Sequence, residues 1–277
     1  MESDLPPAIA ADDVSIGYEA RRPGMSHSPV DGVTFTLPAG SMLAVVGETG
    51  SGKSTLAAMI AGHQSTAHQV GPRVTGGSLR VLGESIRGIR SRRRERLAFH
   101  IGYVPQNAAS RLDGRQTIGE NVAYPIYSRD RDFDRSEAEV AVATVLDAVR
   151  LPLAIMGSYP HELSQGQRQR AAIAQALILE PALLVADDPT AGIDVTSRMA
   201  ILDNIRELQH ARGFSALVIS NTLSEVRRFS ERVAIMHRGG IVGIGAVDEV
   251  LHAPEHSYVQ GLSRTLQVLR RADELGI

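Results

Sequence analysis

The chain has 277 residues, 29 Lys and Arg against 31 Asp and Glu, and no cysteine. That length is enough for one large domain, or a core with one subdomain, and it buries most of its apolar surface. The net charge of −2 gives no global field toward nucleic acid or anionic lipid, and the missing cysteines exclude disulfides, thiolate metal sites and a cysteine nucleophile. The acidic start, MESDLPPAIAADD, lacks the basic and apolar regions of a signal peptide. No stretch reaches the roughly 18 apolar residues that span a bilayer; the richest, ALILEPALLVA, is broken by Glu180 and Pro181. Any work at a membrane would need other chains to hold this one there.

In chain order, apolar residues alternate at Val14, Ile16 and Tyr18 and again at Val33, Phe35 and Leu37, which predicts two half-buried antiparallel strands. A loop rich in Arg, Pro, Gly and Ser, from Arg21 to Pro29, separates them. Met42 to Val46 is a continuous apolar run, as expected of a strand buried on both faces, and Ser54 to Ala61 reads as a helix stopped near Gly62. Between strand and helix lies GETGSGKST: Gly47, Glu48, Thr49, Gly50, Ser51, Gly52, Lys53, Ser54 and Thr55. It matches G-x-x-x-x-G-K-[ST], in which the glycines let successive backbone N–H groups turn inward around phosphate. The helix adds its positive end, the lysine reaches the outer phosphates, and the Ser54 hydroxyl can ligate Mg²⁺. Lys53 is the only lysine in the chain, so the arginine bias seen elsewhere stops where a compact ammonium on a flexible stem is needed. A nucleoside triphosphate is the expected ligand.

A second hairpin is expected around Gly76 to Leu82, and Ile101 to Val104 reads as a short strand ended by Pro105. Arg90, Arg92, Arg93, Arg94 and Arg96 enclose Glu95 with no interleaved aromatics, the pattern of a solvated helix face rather than a nucleic-acid surface. The pattern is helical from Asn107 to Glu162, most clearly from Val140 to Val149, and His161 there reads as a surface or packing residue. Next come a helix from Gln165 to Leu179 with Ser164 as N-cap, a buried strand from Ala182 to Ala186, a helix from Ser197 to Gln209 and a strand from Ala216 to Ser220. Val233 to Met236 and Ile241 to Ile244 form a closing hairpin around Arg238, Gly239 and Gly240, and an amphipathic helix runs from about Gln260 to Leu275. This order predicts an α/β fold: a P-loop NTPase (RecA-like) core with a mainly parallel sheet, an N-terminal antiparallel β subdomain and an inserted α-helical subdomain. The corresponding divisions are 1–106, 107–164, 165–245 and 246–277.

From about Val14 to Ile244 the chain resembles an ABC-type ATPase. Tyr159 to Thr190 (YPHELSQGQRQRAAIAQALILEPALLVADDPT) and the tail HAPEHSYVQGL are similar to the peptide and nickel importer branch. LSQGQ stands where that family has its LSGGQ signature. Ser164 and the amides of Gly166 and Gln167 make an anion site at a helix N-terminus, although an ordinary capped helix has the same features. The resemblance implies that Ser164, Gln165, Gly166 and Gln167 face the γ-phosphate of ATP held by a second subunit, with Gln165 departing from the family glycine. It also implies ATP and Mg²⁺ as cofactors, with Asp187, at the carboxyl end of a strand, joining Ser54 and the Q-loop residue Gln106 around the metal. Asp194 falls in the D-loop. Tyr18 corresponds to the aromatic that stacks on adenine, while its parity with Val14 and Ile16 also fits an ordinary packed side chain.

Two positions depart from the family chemistry. Asp188 stands in place of the glutamate that polarises the attacking water, and Asn221 in place of the switch histidine. A base must come within about 2.6–3.2 Å of its target, directly or through one water, and aspartate is a methylene shorter. Asn221 can donate a hydrogen bond to phosphate but carries no charge. The pair resembles the degenerate sites of asymmetric ABC dimers, which implies slow hydrolysis here and a competent site on a companion. The implied partners are transmembrane permease subunits, a second ABC ATPase subunit and, indirectly, an extracytoplasmic substrate-binding protein, with no nucleic acid, at the cytoplasmic face of the membrane. Related subunits often carry a cysteine-rich tail that holds an iron–sulfur cluster; with no cysteine, none is expected here. The rival is a soluble ABC ATPase acting on nucleic acid or ribosomes, which usually has two ATPase halves or a long coiled coil. A P-loop kinase would leave the LSQGQ helix and Asp194 unexplained.

Overall fold

The computed structural model describes residues 6–18, 27–63 and 71–275. Strands β1 (Ile9–Tyr18) and β2 (His27–Leu37) pair antiparallel. Of the loop expected from Arg21 to Pro29, residues 21–26 lie outside the described part, and Ser28 and Pro29 belong to β2. β3 (Met42–Gly47) leads through the glycine loop into α1 (Lys53–Ile60). Strand β4 (Pro72–Val81) then pairs antiparallel with β1 and turns at Leu82 and Gly83 into the two-residue β5 (Glu84–Ser85). The hairpin expected around Gly76 to Leu82 is therefore misplaced. Gly76 and Gly77 lie inside β4, opposite an irregularity between Asp12 and Ser15 of β1, and the turn comes later.

The second sheet has six strands in the order β10-β9-β3-β8-β7-β6, with β6 (Ile101–Val104), β7 (Leu183–Asp187), β8 (Ser215–Ser220), β9 (Arg232–His237) and β10 (Gly240–Ala246). Every pairing is parallel except β9 with β10. Alternate residues of its strands feed two different cores. Leu43, Val45, Leu183, Val185, Leu217 and Ile219 meet α1 and the antiparallel sheet, while Ala44, Val46, Leu184, Ala186, Ala216 and Val218 meet the later helices. Continuous apolar runs in β3, β7 and β8 are what burial on both faces demands. Each fully buried aliphatic side chain, such as Leu56 or Ile60 of α1, contributes about 1.5–3 kcal/mol.

Arg92, Arg93, Arg94 and Arg96 fall on α2 (Ser91–Phe99), with Arg90 at its N-cap position; only Leu97 of the helix is buried, so a solvated face is what forms. Helices α3 (Ile118–Arg129) and α4 (Arg135–Ala148) follow, started by Thr117 in a capping box with Glu120 and by Asp134. Two short 3-10 turns, Leu153–Gly157 and Pro160–Glu162, lead to α5 (Gln165–Leu177). Asp194 caps α6 (Val195–Arg212). Three more helices complete the chain: α7 (Leu223–Phe229), α8 (Val247–His252) and α9 (Ser257–Leu275). Among the described residues no helix is long and apolar enough to cross a membrane.

Candidate nucleotide-binding site

The carboxyl ends of β3, β6, β7 and β8 open on one cleft, the edge of a parallel sheet where ligands collect. The glycine loop closes one side, and its shape is set by two close approaches. A Cβ on Gly47 would stand 2.1 Å from the Met236 carbonyl oxygen of β9, and one on Gly52 would stand 2.1 Å from the Pro29 carbonyl oxygen of β2. Their φ values, 157° and 101°, are also ones that side chains avoid. At both positions only glycine fits.

Lys53 folds back beneath the loop. Its Nζ donates to the carbonyls of Gly47 at 2.7 Å and Glu48 at 2.8 Å, and lies 3.4 Å from Ser51 Oγ. Burial lowers its pKa, opposed by the charges of Asp187, Asp188 and Glu48. Next to it Ser54 Oγ donates to Asp187 Oδ1 at 3.0 Å. Asp187, the last residue of β7, is 3% exposed. Burial is the main cause that raises its pKa, Asp188 adds to it, and Ser54 and Lys53 oppose it. A hydroxyl and a buried carboxylate, both oxygen donors and adjacent in a cleft, suit a hard divalent cation, so these residues fit Mg²⁺. Among the described residues no group of three or more His, Asp or Glu could hold a metal, which leaves phosphate oxygens and water to complete such a shell.

The cleft measures about 280 Å³. Of the residues singled out from sequence, Tyr18, Thr49, Gly50, Gly52, Lys53, Ser54, Thr55, Gln106, Asp187, Asp188 and Asn221 line it. Tyr18 is 39% exposed, with its hydroxyl 3.4 Å from Thr55 Oγ1, so the parity that allowed a packed core side chain is broken by register shifts in β1. Glu48 turns away from the cleft toward His237 of β9. Asp188 sits at φ 49° just past β7, with its backbone N–H bonded to the Ile219 carbonyl. Its carboxylate accepts a hydrogen bond from Asn221 Nδ2 at 2.6 Å. Burial raises the Asp188 pKa, the Asn221 bond opposes this, Glu225 adds to it, and Arg198 and Lys53 oppose it.

Glu225 and Arg198 are residues that sequence reasoning missed. Arg198 Nη1 lies 3.0 Å from Glu225 Oε1 and its Nη2 donates to the Ile193 carbonyl, so α6, α7 and the D-loop are tied together beside Asp188. A helical pattern after Asn221 is the signal for Glu225, and Arg198 falls in the helix expected from Ser197 to Gln209.

The signature segment stands outside the cleft. Ser164 Oγ accepts from the Gln167 N–H at 3.3 Å and Gln167 Oε1 accepts from the Ser164 N–H at 2.9 Å, a full capping box at the start of α5. A Cβ on Gly192, φ 71°, would come within 2.7 Å of Gln165 Nε2, so the Gln165 amide lies against the D-loop. Gly166 faces Ser197 at the start of α6. Asp194 also lies away from the cleft, exposed, and its hydrogen bonds with Ser197 lower its pKa.

A two-sheet core with a parallel β-strand, glycine loop and helix, a lone buried lysine and an aspartate at the end of β7, one strand removed from β3 in the sheet, defines a P-loop nucleotide-binding protein. The chain belongs to the ABC transporter family, whose match covers residues 30–191. It is 34% identical over 247 residues to the oligopeptide transport ATP-binding protein OppF of Salmonella typhimurium, covering 89% of this chain and 72% of that one. It is 38% identical over 254 residues to a putative peptide import ATP-binding protein of Brucella ovis, with 89% and 74% covered. The di/tripeptide transport ATP-binding protein DppF of Pseudomonas aeruginosa is 34% identical over 259 residues, with 92% and 77% covered. The fold is also that of CbiO1 from Clostridium perfringens, with TM-score 0.76 at 21% identity over 98% of this chain and 99% of that one. A dimeric ATP-binding cassette bound to ADP and Pi gives TM-score 0.75 at 23% identity, over 86% and 98%.

Proposed function

We propose that the chain is the ATP-binding subunit of an importer for peptides or related small solutes. On this reading it sits at the cytoplasmic face of the membrane with permease subunits, a second ATPase subunit and, at one remove, a substrate-binding protein. The names of its relatives support the substrate class. The observation that carries the two-subunit part is spatial: Ser164 to Gln167 lie outside the cleft that Lys53 and Asp187 line. A capped helix N-terminus of this kind serves a phosphate brought by another chain.

Within the cleft the loop amides and Lys53 hold the triphosphate, and Tyr18 stacks on adenine. Ser54, Asp187 and Gln106 hold Mg²⁺, which when bound neutralises phosphate charge. Lys53 must leave the carbonyls of Gly47 and Glu48 to reach the outer phosphates, exchanging neutral acceptors for charged ones. Hydrolysis in this chain's own site is slow, because the carboxylate of Asp188 is engaged by Asn221 and so is poorly placed to orient water.

Capture of the chain from membranes identifies its companions. Permease subunits and a second ATPase are expected, and ribosomes or RNA in their place would overturn the reading. Brisk Mg²⁺-dependent hydrolysis by the purified chain as a homodimer would overturn the slow site.

A further inference from the structure

The glycine loop is touched from its outer side by the C-terminal part of the chain. Glu48 aims its carboxylate away from the cleft, and His237 Nδ1 lies 2.8 Å from its Oε1, at ion-pair distance but off the axis of a good hydrogen bond. The His237 ring in turn stacks on Tyr258 in the first turn of α9, with centroids 4.3 Å apart and planes 20° apart. Burial and then the Glu48 charge raise the Tyr258 pKa, opposed by the Glu48 backbone. This end of α9 is firmly seated. Val259 is 1% exposed, Ser263 Oγ donates to the Leu251 carbonyl at 2.8 Å, and His256 Nδ1 accepts from the Tyr258 N–H at 3.1 Å. The backbone of Glu48 belongs to the site itself, since its carbonyl accepts from Lys53 Nζ.

We propose that Tyr258 is a positioning residue for the phosphate loop: with His237 it holds Glu48 on the outer side, and so fixes the backbone of the loop whose other side borders the cleft. Stacked rings are stiff, and a side chain fixed from outside limits how far its own backbone can swing. A carboxylate left free at this point could approach the phosphates, which repel it. The C-terminal helix, whose described side chains line no part of the cleft, thereby acts on nucleotide affinity. The proposal rests on the loop being the ATP site.

The test measures MgATP dissociation constants by calorimetry on the full chain, together with the nucleotide-free unfolding temperature. Tyr258→Ala and His237→Ala are expected to weaken binding about three- to tenfold, the scale of one lost hydrogen bond or ring contact. Tyr258→Phe keeps the stack and is expected to recover most of that loss. Tyr258→Leu, which preserves apolar bulk, stands in if the alanine variant does not fold, and is expected to bind as weakly. Glu48→Ala combined with Tyr258→Ala is expected to lose less than the two single changes added together. A lowered unfolding temperature with unchanged ATP affinity in Tyr258→Ala or Tyr258→Leu overturns the proposal, as does additivity of the double change. A wild-type chain that binds no MgATP overturns the ATP site itself.

Discussion

Asn221 Nδ2 donates to Asp188 Oδ2 at 2.6 Å, so the two residues read from sequence as departures from the resembled catalytic pair are bonded to each other. They stand at the ends of neighbouring parallel strands, β8 and β7, where the register sets Asp187 opposite Ile219. Lengthening the carboxylate and restoring a titratable partner should free the site for water. Asp188→Glu with Asn221→His is expected to raise phosphate release at least about tenfold, a fraction of the roughly 10²–10⁴-fold that a well-placed general base contributes. No gain in a single-turnover assay would place the limit elsewhere.

Burial raises the pKa of Asp188, and the sign of its effect on stability follows. The folded state holds this proton more tightly than the unfolded state does. Nucleotide-free stability therefore falls as pH climbs from the ordinary carboxylate range, about 3.9, through the raised value, and stays lower above it. Asp188→Asn removes that penalty and can still accept from Asn221. The variant is expected to unfold at a higher temperature than wild type near about pH 8, with the difference closing toward about pH 4. A difference that does not change with pH would refute this account.

Lys53 makes its hydrogen bonds to the loop at the cost of a buried ammonium, shown by its lowered pKa. The two effects oppose each other without nucleotide, but phosphate converts neutral contacts into charged ones worth roughly 1.5–3 kcal/mol. Lys53→Met should weaken ATP binding at least about tenfold while moving the nucleotide-free unfolding temperature little. Calorimetry and thermal unfolding on the same preparation check both halves.

Gly192→Ala tests the contact between signature and D-loop. The added Cβ meets Gln165 Nε2 at 2.7 Å and adopts φ 71°. The amide end of a glutamine moves easily, whereas left-handed backbone costs a side chain roughly 1–2 kcal/mol. Urea unfolding should show a loss of that size, and adding Gln165→Ala should recover less than half of it. Full recovery would mean that crowding, not backbone strain, governs the site.

Much of this was legible from sequence where local chemistry suffices. The glycine loop, Lys53 and Ser54 are fixed by adjacent residues, and the buried strands announce themselves as apolar runs such as Met42 to Val46. What escaped depends on contacts far apart in the chain. Gly76 and Gly77 carry a turn signal, yet they allow β4 to pass an irregularity in β1, a partner that no window around position 76 contains. Asp188 and Asn221 could each be read as a departure, but not as a bonded pair. Glu225 gained meaning only when α7 brought it to Arg198 beside Asp188.

Gly47 and Gly52 are pressed against backbone from two different sheets, at Met236 and Pro29. A turn gripped on both flanks has little freedom left to lose when an anion arrives, so association should carry a small ordering penalty. The same grip makes the turn hard to transplant: moved to a scaffold without these two carbonyls, the nine-residue segment GETGSGKST would keep its composition and lose its curvature.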